Sequence, residues 1–257
     1  MKKIFRVYRV GGWYYYLGFI LLGLIFKEYS VSIDAVKYLL LGSSLLAYAY
    51  SLNDYYDENQ TKKYFIYPLI LSLLLLSIFN VYQIIVSLLF LVIFTMYSSK
   101  PFRFKSLPIL SSLLNGFGFI SLFFLGYFHT FTISLLGILF AALLFLLELI
   151  AQFIHEVVDL EKDKREGIKT TAVVIGVDNI KKLSIILLMI SILVAFFVHN
   201  VSESRANISF SVSTLLFSLY FISYISKKDI TLSLRRQYKS FGMILGIFWT
   251  LMFFISP

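Results

Sequence analysis

Cysteine is absent from the chain, which excludes a disulfide framework and any cysteine-ligated zinc or iron–sulfur site, and leaves the redox compartment open. Charge is the next scarcity. Asp, Glu, Lys and Arg make up 14% of the 257 residues, against about 25% in soluble domains. Hydrophobic residues reach 59% and the mean hydropathy is +0.85, so the chain reads as an integral membrane protein. A cleavage site is missing too: "MKKIFRVYRVGGWYYYLGFILLGLIF" has a basic start and an apolar run, but no small-residue pattern follows "IFKEYS". That run is therefore expected to be retained as a first span.

Crossing the hydrocarbon core takes roughly 20 predominantly apolar residues. Such runs suggest nine spans, near Gly11–Phe26, Ala35–Leu52, Tyr64–Phe79, Val81–Tyr97, Pro108–Phe128, Thr132–Ile154, Ile180–Val198, Ile208–Ile225 and Phe241–Ile255. No charge marks the turn at "FNVYQ" or the turn near His129. With the N-terminus in the cytoplasm, 20 of the 23 basic residues fall on the inside, and only Lys27, Lys37 and Arg205 fall outside. This bias fits the positive-inside rule. The expected fold is all-α and integral to the cell membrane: nine transmembrane helices in a single bundle, one domain over residues 1–257. The net charge of +9 then reflects topology and anionic headgroups, with no call for nucleic acid.

Acids are the rarer sign, and their placement is uneven. Nine of the 14 sit at two inside-facing helix ends: Asp54, Asp57 and Glu58 after the second span, and Glu148, Glu156, Asp159, Glu161, Asp163 and Glu166 in or after the sixth. At about 100° per residue, a helix through "ELIAQFIHEVVDLEKD" gathers Glu148, Gln152, His155, Glu156, Asp159 and Asp163 into one polar stripe. The second helix, continued past Leu52, would likewise align Asn53 or Asp54 with Asp57 and Thr61. Two carboxylate faces on one side of a membrane repel each other without a cation. Mg²⁺ prefers hard oxygen, taking one or two carboxylates together with waters and substrate phosphate oxygens. The chemistry inferred from these residues is a diphosphate held through Mg²⁺, with Tyr97, Lys100, Arg103 and Lys105 in "YSSKPFRFK" supplying phenolic and cationic partners.

"NDYYD" at Asn53–Asp57 and "EVVDLEKD" at Glu156–Asp163 resemble the two aspartate-rich motifs of the UbiA superfamily of intramembrane prenyltransferases. "GIKTTAVVIG" is similar to the segment after the second motif, and "YSSKPFRFKSLP" to the basic loop after the fourth helix. The resemblance implies Mg²⁺-dependent transfer of a prenyl group from a polyprenyl diphosphate to an acceptor, with active-site loops on the cytoplasmic side. It also implies that Asn53, Asp54, Asp57, Glu156, Asp159 and Asp163 hold the metal, with Asp54, Asp57, Asp159 and Asp163 as the catalytic set. Arg9, Tyr97, Lys100 and Arg103 would contact the diphosphate, and His155 is a candidate acid or base. The chain departs from the pattern at Thr61, where the first motif normally carries another acid. It also departs in the short "TKKYFIYP" connection and at Glu156, where aspartate is more frequent.

Blander readings stand beside these. The first acidic cluster alone is compatible with a solvated loop, Arg6 and Arg9 with topology determinants, and Trp13–Tyr15 with an interfacial aromatic belt. Asn115 and "GFG" fit close helix packing as well as a chamber wall, and "KKDITLSLRRQYK" reads as an inside basic loop. Three other functions share the pattern: a UbiA-type terpene cyclase without an external acceptor, a cation- or proton-coupled transporter, and a non-catalytic membrane protein with a cytoplasmic-face metal site.

Overall fold

The computed structural model describes residues 7–26, 35–58, 61–201 and 205–255. Lys2, Lys3, Arg6 and Lys27, all counted in the orientation argument, lie outside the described residues. Every regular element among the described residues is helical. In chain order the α-helices are α1 (Val10–Trp13), α2 (Leu17–Phe26), α3 (Ala35–Glu58), α4 (Lys63–Leu75), α5 (Val81–Ser98), α6 (Leu110–Tyr127), α7 (Leu135–Val158), α8 (Leu160–Arg165), α9 (Thr171–Ile175), α10 (Val177–Val201), α11 (Arg205–Lys227) and α12 (Leu232–Ile255). Short 3₁₀ turns at Tyr14–Tyr16, Leu76–Ile78 and Phe104–Ser106 complete the set.

Among the described residues, six helices, not nine, are long and apolar enough to cross a membrane by length and composition: α3, α5, α6, α7, α10 and α11. The other three expected spans are not among these six. Val10–Phe26 is interrupted by the tyrosine 3₁₀ turn, and Lys63–Ile78 is a shorter apolar stretch that ends in another. The third, α12, begins at Leu232 and so carries Arg235, Arg236 and Lys239 in its first turns, where a basic loop was expected.

The residues group into two compact units. The first comprises residues 1–104 and 117–132, where α3 packs against α2, α4 and α5. Its core is aromatic: Tyr16 stacks on Phe119 with centroids 3.6 Å apart, and Phe94 meets Phe119 edge-on at 5.5 Å. Helices α2 and α6 approach so closely that a Cβ on Gly23 would strike the Phe123 carbonyl oxygen, and one on Gly126 the Ile20 carbonyl oxygen. Backbone contact of this kind is the small-residue route by which membrane helices gain dispersion energy. The uncharged turn at "FNVYQ" has a polar device after all. Asn80 caps α5 by accepting from the Tyr82 and Gln83 amides, while Gln83 accepts from the Asn80 amide. This Asn-x-x-Gln capping box separates α4 from α5 without any charge.

The second unit comprises residues 105–116 and 133–257. Here α7 packs on α9, α10 and α12, and α11 packs on α10 and α12. Ser134 caps α7 by accepting from the Gly137 amide at 3.1 Å. Phe140, Phe210 and Trp249 form an aromatic cluster in its core, with Phe140 and Phe210 stacked at 4.0 Å. Tyr238 on α12 donates to the Leu147 carbonyl of α7 at 2.9 Å. Each unit therefore carries one of the two acidic motifs.

Candidate functional site

In the first unit the acids belong to the helix itself. No breaker interrupts "SLNDYYDE", and α3 continues to Glu58 rather than ending at Leu52. Asp54 is 2% exposed, and its Oδ1 receives Arg9 Nη1 at 2.8 Å. A buried carboxylate needs such a partner because desolvation opposes its charge. Arg9 adopts left-handed backbone geometry (φ 48°) just before α1, and its guanidinium also lies 5.6 Å from the Tyr50 ring. Asp57, one turn on, has Oδ1 3.7 Å from Arg103 Nη2. Arg103 too is left-handed, at φ 42°. Asn53 is half-buried, its Oδ1 accepting from Ser98 at 3.4 Å. Tyr97 lies near the end of α5 with its ring 6.2 Å from Phe94, and Lys100 is exposed in the turn that follows. Thr61 lies beyond α3, in the connection to α4, so the helical face drawn through Asn53, Asp57 and Thr61 does not extend that far.

The second unit breaks the expected continuous stripe. Helix α7 ends at Val158; Asp159 (φ −93°, ψ 4°) is at once its C-cap and the residue before α8. Glu156 and Asp163 therefore sit on different helices, with different surroundings. Glu156 is 2% exposed and accepts from Ser112 Oγ at 2.7 Å, Gln152 Nε2 at 3.3 Å and the Ala172 amide at 3.1 Å. Asp159 is partly exposed, its Oδ2 3.5 Å from His155 Nδ1 and its Oδ1 3.6 Å from Arg235 Nη1. Asp163 Oδ2 accepts from Thr170 Oγ1 at 3.3 Å. Partial burial pushes the Asp163 carboxyl above the ordinary aspartate range, the negative charges of Asp159, Glu156 and Glu166 add to that, and the Thr170 hydroxyl opposes it. Glu148 and Gln152 are buried on α7, and Gln152 also accepts from Asn115 Nδ2 at 2.6 Å.

Arg235 lies in a segment that reads as a basic loop in sequence, whereas the structure places it on α12 beside Asp159. The available signal was Thr231, whose hydroxyl accepts from the Leu234 amide and whose carbonyl accepts from the Arg235 amide, marking a helix start. Ser112 gave no sequence signal, and Thr170 and Thr171 stood in "GIKTTAVVIG" with no role of their own, since a hydroxyl is assigned its role only by what it meets.

Among the described residues, no three Asp, Glu or His side chains converge into a ready metal cluster. A closed cage such as structural Ca²⁺ takes is thus not what these residues offer. Mg²⁺ asks for less, one or two carboxylates plus waters and phosphate oxygens, and each unit has a pair of aspartates with hard oxygen donors of that kind, Asp54 and Asp57 in the first and Asp159 and Asp163 in the second. Either pair fits Mg²⁺ brought with a phosphorylated substrate.

An all-helical, multi-pass membrane protein with carboxylates at helix ends and guanidinium groups beside them is the class that these features define. The chain belongs to the UbiA prenyltransferase family, whose sequence profile matches residues 58–252. Its fold is similar to that of a UbiA homolog from Archaeoglobus fulgidus bound to GPP and Mg²⁺, with a TM-score of 0.83, 21% identity and 98% of each chain covered. The same homolog bound to DMAPP and Mg²⁺ also gives a TM-score of 0.83 at 21% identity, again over 98% of each chain. A digeranylgeranylglyceryl phosphate synthase structure matches with a TM-score of 0.75 at 16% identity, over 99% of this chain and 97% of that one. No functionally curated protein matches the sequence.

Proposed function

We propose that the protein transfers a prenyl group from a polyprenyl diphosphate to an acceptor nucleophile within the membrane, with the first-motif acids Asp54 and Asp57 and the second-motif acids Asp159 and Asp163 as the carboxylates that serve Mg²⁺ and diphosphate. The observation that carries this reading is the pairing of both first-motif aspartates with arginines, Arg9 on Asp54 and Arg103 on Asp57, in a member of a prenyltransferase family. Carboxylates favour a cation and guanidinium groups favour phosphate oxygens, so the constellation suits a metal–diphosphate pair. Bound Mg²⁺ would supply charge neutralisation for the departing diphosphate. Arg9, Arg103, Lys100 and Tyr97 would hold and orient its oxygens. The allylic carbon–oxygen bond breaks with its electron pair leaving on diphosphate, the acceptor's electron pair forms the new bond to the allylic carbon, and the acceptor then loses a proton. His155, 3.5 Å from Asp159, is the candidate to receive that proton.

In this reading the apolar stretches Val10–Phe26 and Lys63–Ile78 and the helix α12 are further passes beside the six long apolar helices. The N-terminus and both acidic helix ends face the cytoplasm of a cell membrane, as the inside placement of 20 of 23 basic residues supports. The test is diphosphate release from geranylgeranyl or farnesyl diphosphate by purified protein, with Mg²⁺ or with EDTA, for wild type, Asp54→Ala and Asp159→Ala. Mg²⁺-dependent release lost in both variants is the expected result. Absence of release from every donor, even with a membrane-lipid extract present as acceptor source, would sink the proposal, and release yielding a cyclic hydrocarbon without an acceptor would turn it into a cyclase.

A further inference from the structure

We infer that Glu156 is a positioning residue for the second acidic motif rather than one of its metal ligands; this rests on the function proposed above. Glu156 is buried, and both of its oxygens are engaged by neutral donors. Oε1 receives Ser112 Oγ and Gln152 Nε2, and Oε2 receives the Ala172 amide. Such a carboxylate has little left to give a cation: two oxygens offer about four lone-pair positions, and three are in use on a side chain that is buried.

The hydroxyls behind it point one way. The Ile109 amide donates to Thr171 Oγ1 at 2.9 Å, and Thr171 and Ser112 share a hydroxyl hydrogen bond at 3.0 Å. Because Ser112 gives its hydrogen to Glu156, Thr171 must donate to Ser112, and the chain runs Ile109, Thr171, Ser112, Glu156 with the carboxylate as terminal acceptor. Ile109 is β-branched yet held at φ 64°, a conformation that costs free energy and persists only where its surroundings fix it. Three segments meet on this one carboxylate: the end of α7, the start of α6, and the start of α9. The last segment reaches the acidic motif directly, because Thr170, adjacent to Thr171, donates to Asp163. Glu156 thereby sets where Thr170 stands, and Thr170 sets the orientation of Asp163.

The experiment uses the full chain in lipid–detergent micelles, with Glu156→Gln, Ser112→Ala, Thr170→Val, the double variant Glu156→Gln/Thr170→Val, and Asp159→Asn as a ligand control. The first readout is amide hydrogen exchange over residues 168–176 without metal or substrate, and the second is the Mg²⁺ concentration for half-maximal diphosphate release from geranylgeranyl diphosphate. Losing one buried hydrogen-bond partner is expected to speed exchange in that segment about tenfold in Glu156→Gln and Ser112→Ala, while Asp159→Asn leaves it unchanged. Glu156→Gln and Thr170→Val are expected to raise the Mg²⁺ half-saturation by similar factors, with no further rise in the double variant, because both cut the same path to Asp163. The inference is overturned if Glu156→Gln shifts the Mg²⁺ response as Asp159→Asn does without altering exchange, or if its effect and that of Thr170→Val multiply. If wild type releases no diphosphate, the proposed function fails, and unchanged exchange in Glu156→Gln and Ser112→Ala would remove the clamp independently.

Discussion

The two compact units place carboxylates at the end of a long helix and neutralise the cost of burying them by different means. In the first, each aspartate meets an arginine from a distant loop: Asp54 with Arg9 at 2.8 Å and Asp57 with Arg103 at 3.7 Å. In the second, the most buried acid, Glu156, is surrounded by a serine, a glutamine amide and a backbone amide, and the partly exposed Asp159 has Arg235 nearby. Cationic partners are exchangeable, since a guanidinium can leave a carboxylate for a phosphate oxygen when a metal arrives. A net of neutral donors is not, because every member would be left unsatisfied. On the proposed function, the comparison separates acids that would handle a ligand from acids that hold the protein in shape.

The largest effect expected is on catalysis. Asp54→Ala should lower Mg²⁺-dependent diphosphate release by roughly 100-fold or more, the scale of removing one preorganised electrostatic group; a loss under tenfold in a steady-state assay would break the distinction drawn for the first unit. Next comes helix packing. Gly126→Ala places a methyl against the Ile20 carbonyl oxygen and Gly23→Ala one against the Phe123 carbonyl oxygen, where no side chain can yield. Each should cost about 3 kcal/mol, read as a drop in thermal midpoint in detergent, at the upper end of overpacking. In the second unit Gly246→Ala has open space and should be neutral or gain up to about 1 kcal/mol from helix propensity.

Arg9→Ala leaves Asp54 buried without its 2.8 Å partner and should destabilise by about 2 kcal/mol, a figure held down because Arg9 itself is half exposed. Asp54→Asn/Arg9→Ala should recover part of that loss, which chemical denaturation of the two variants can measure. A pH series sharpens the second unit. The Asp163 carboxyl is raised, first by burial and then by its acidic neighbours, so the folded chain holds that proton more tightly than the unfolded one. Its contribution to stability is present below the unfolded value and is lost as pH rises through the folded value. Mg²⁺ must displace the same proton, so apparent Mg²⁺ affinity should begin to fall at a higher pH than for an ordinary aspartate, and Asp163→Asn should remove that limb. The smallest effect is at the surface: Asp229→Asn breaks the 2.7 Å pair with Lys181, but Asp229 is 89% exposed, and no change in thermal midpoint is expected.

The membrane class, the helical fold and the two acidic helix ends all followed from composition and period, because burying a 24-residue apolar helix such as α7 leaves a pattern that neighbours do not alter. Helix ends were less legible. The end of α3 moved past the acids because Arg9, 45 residues away, stabilises Asp54 on the helix, and no local pattern records that. The break at Asp159 and the early start of α12 at Leu232 likewise depend on what the backbone meets in three dimensions.

By itself, then, the sequence determined which elements form, which side chains carry charge and which family chemistry those charges suit, since these depend on residue type and spacing along one chain. Only the tertiary structure decided which acids keep an exchangeable partner and which are locked in place. That decision belongs to Arg9, Arg103, Ser112, Thr170 and Arg235, residues far in sequence from most of the acids they touch, and a hydrogen bond or ion pair acts over about 3 Å of space however long the chain between its ends.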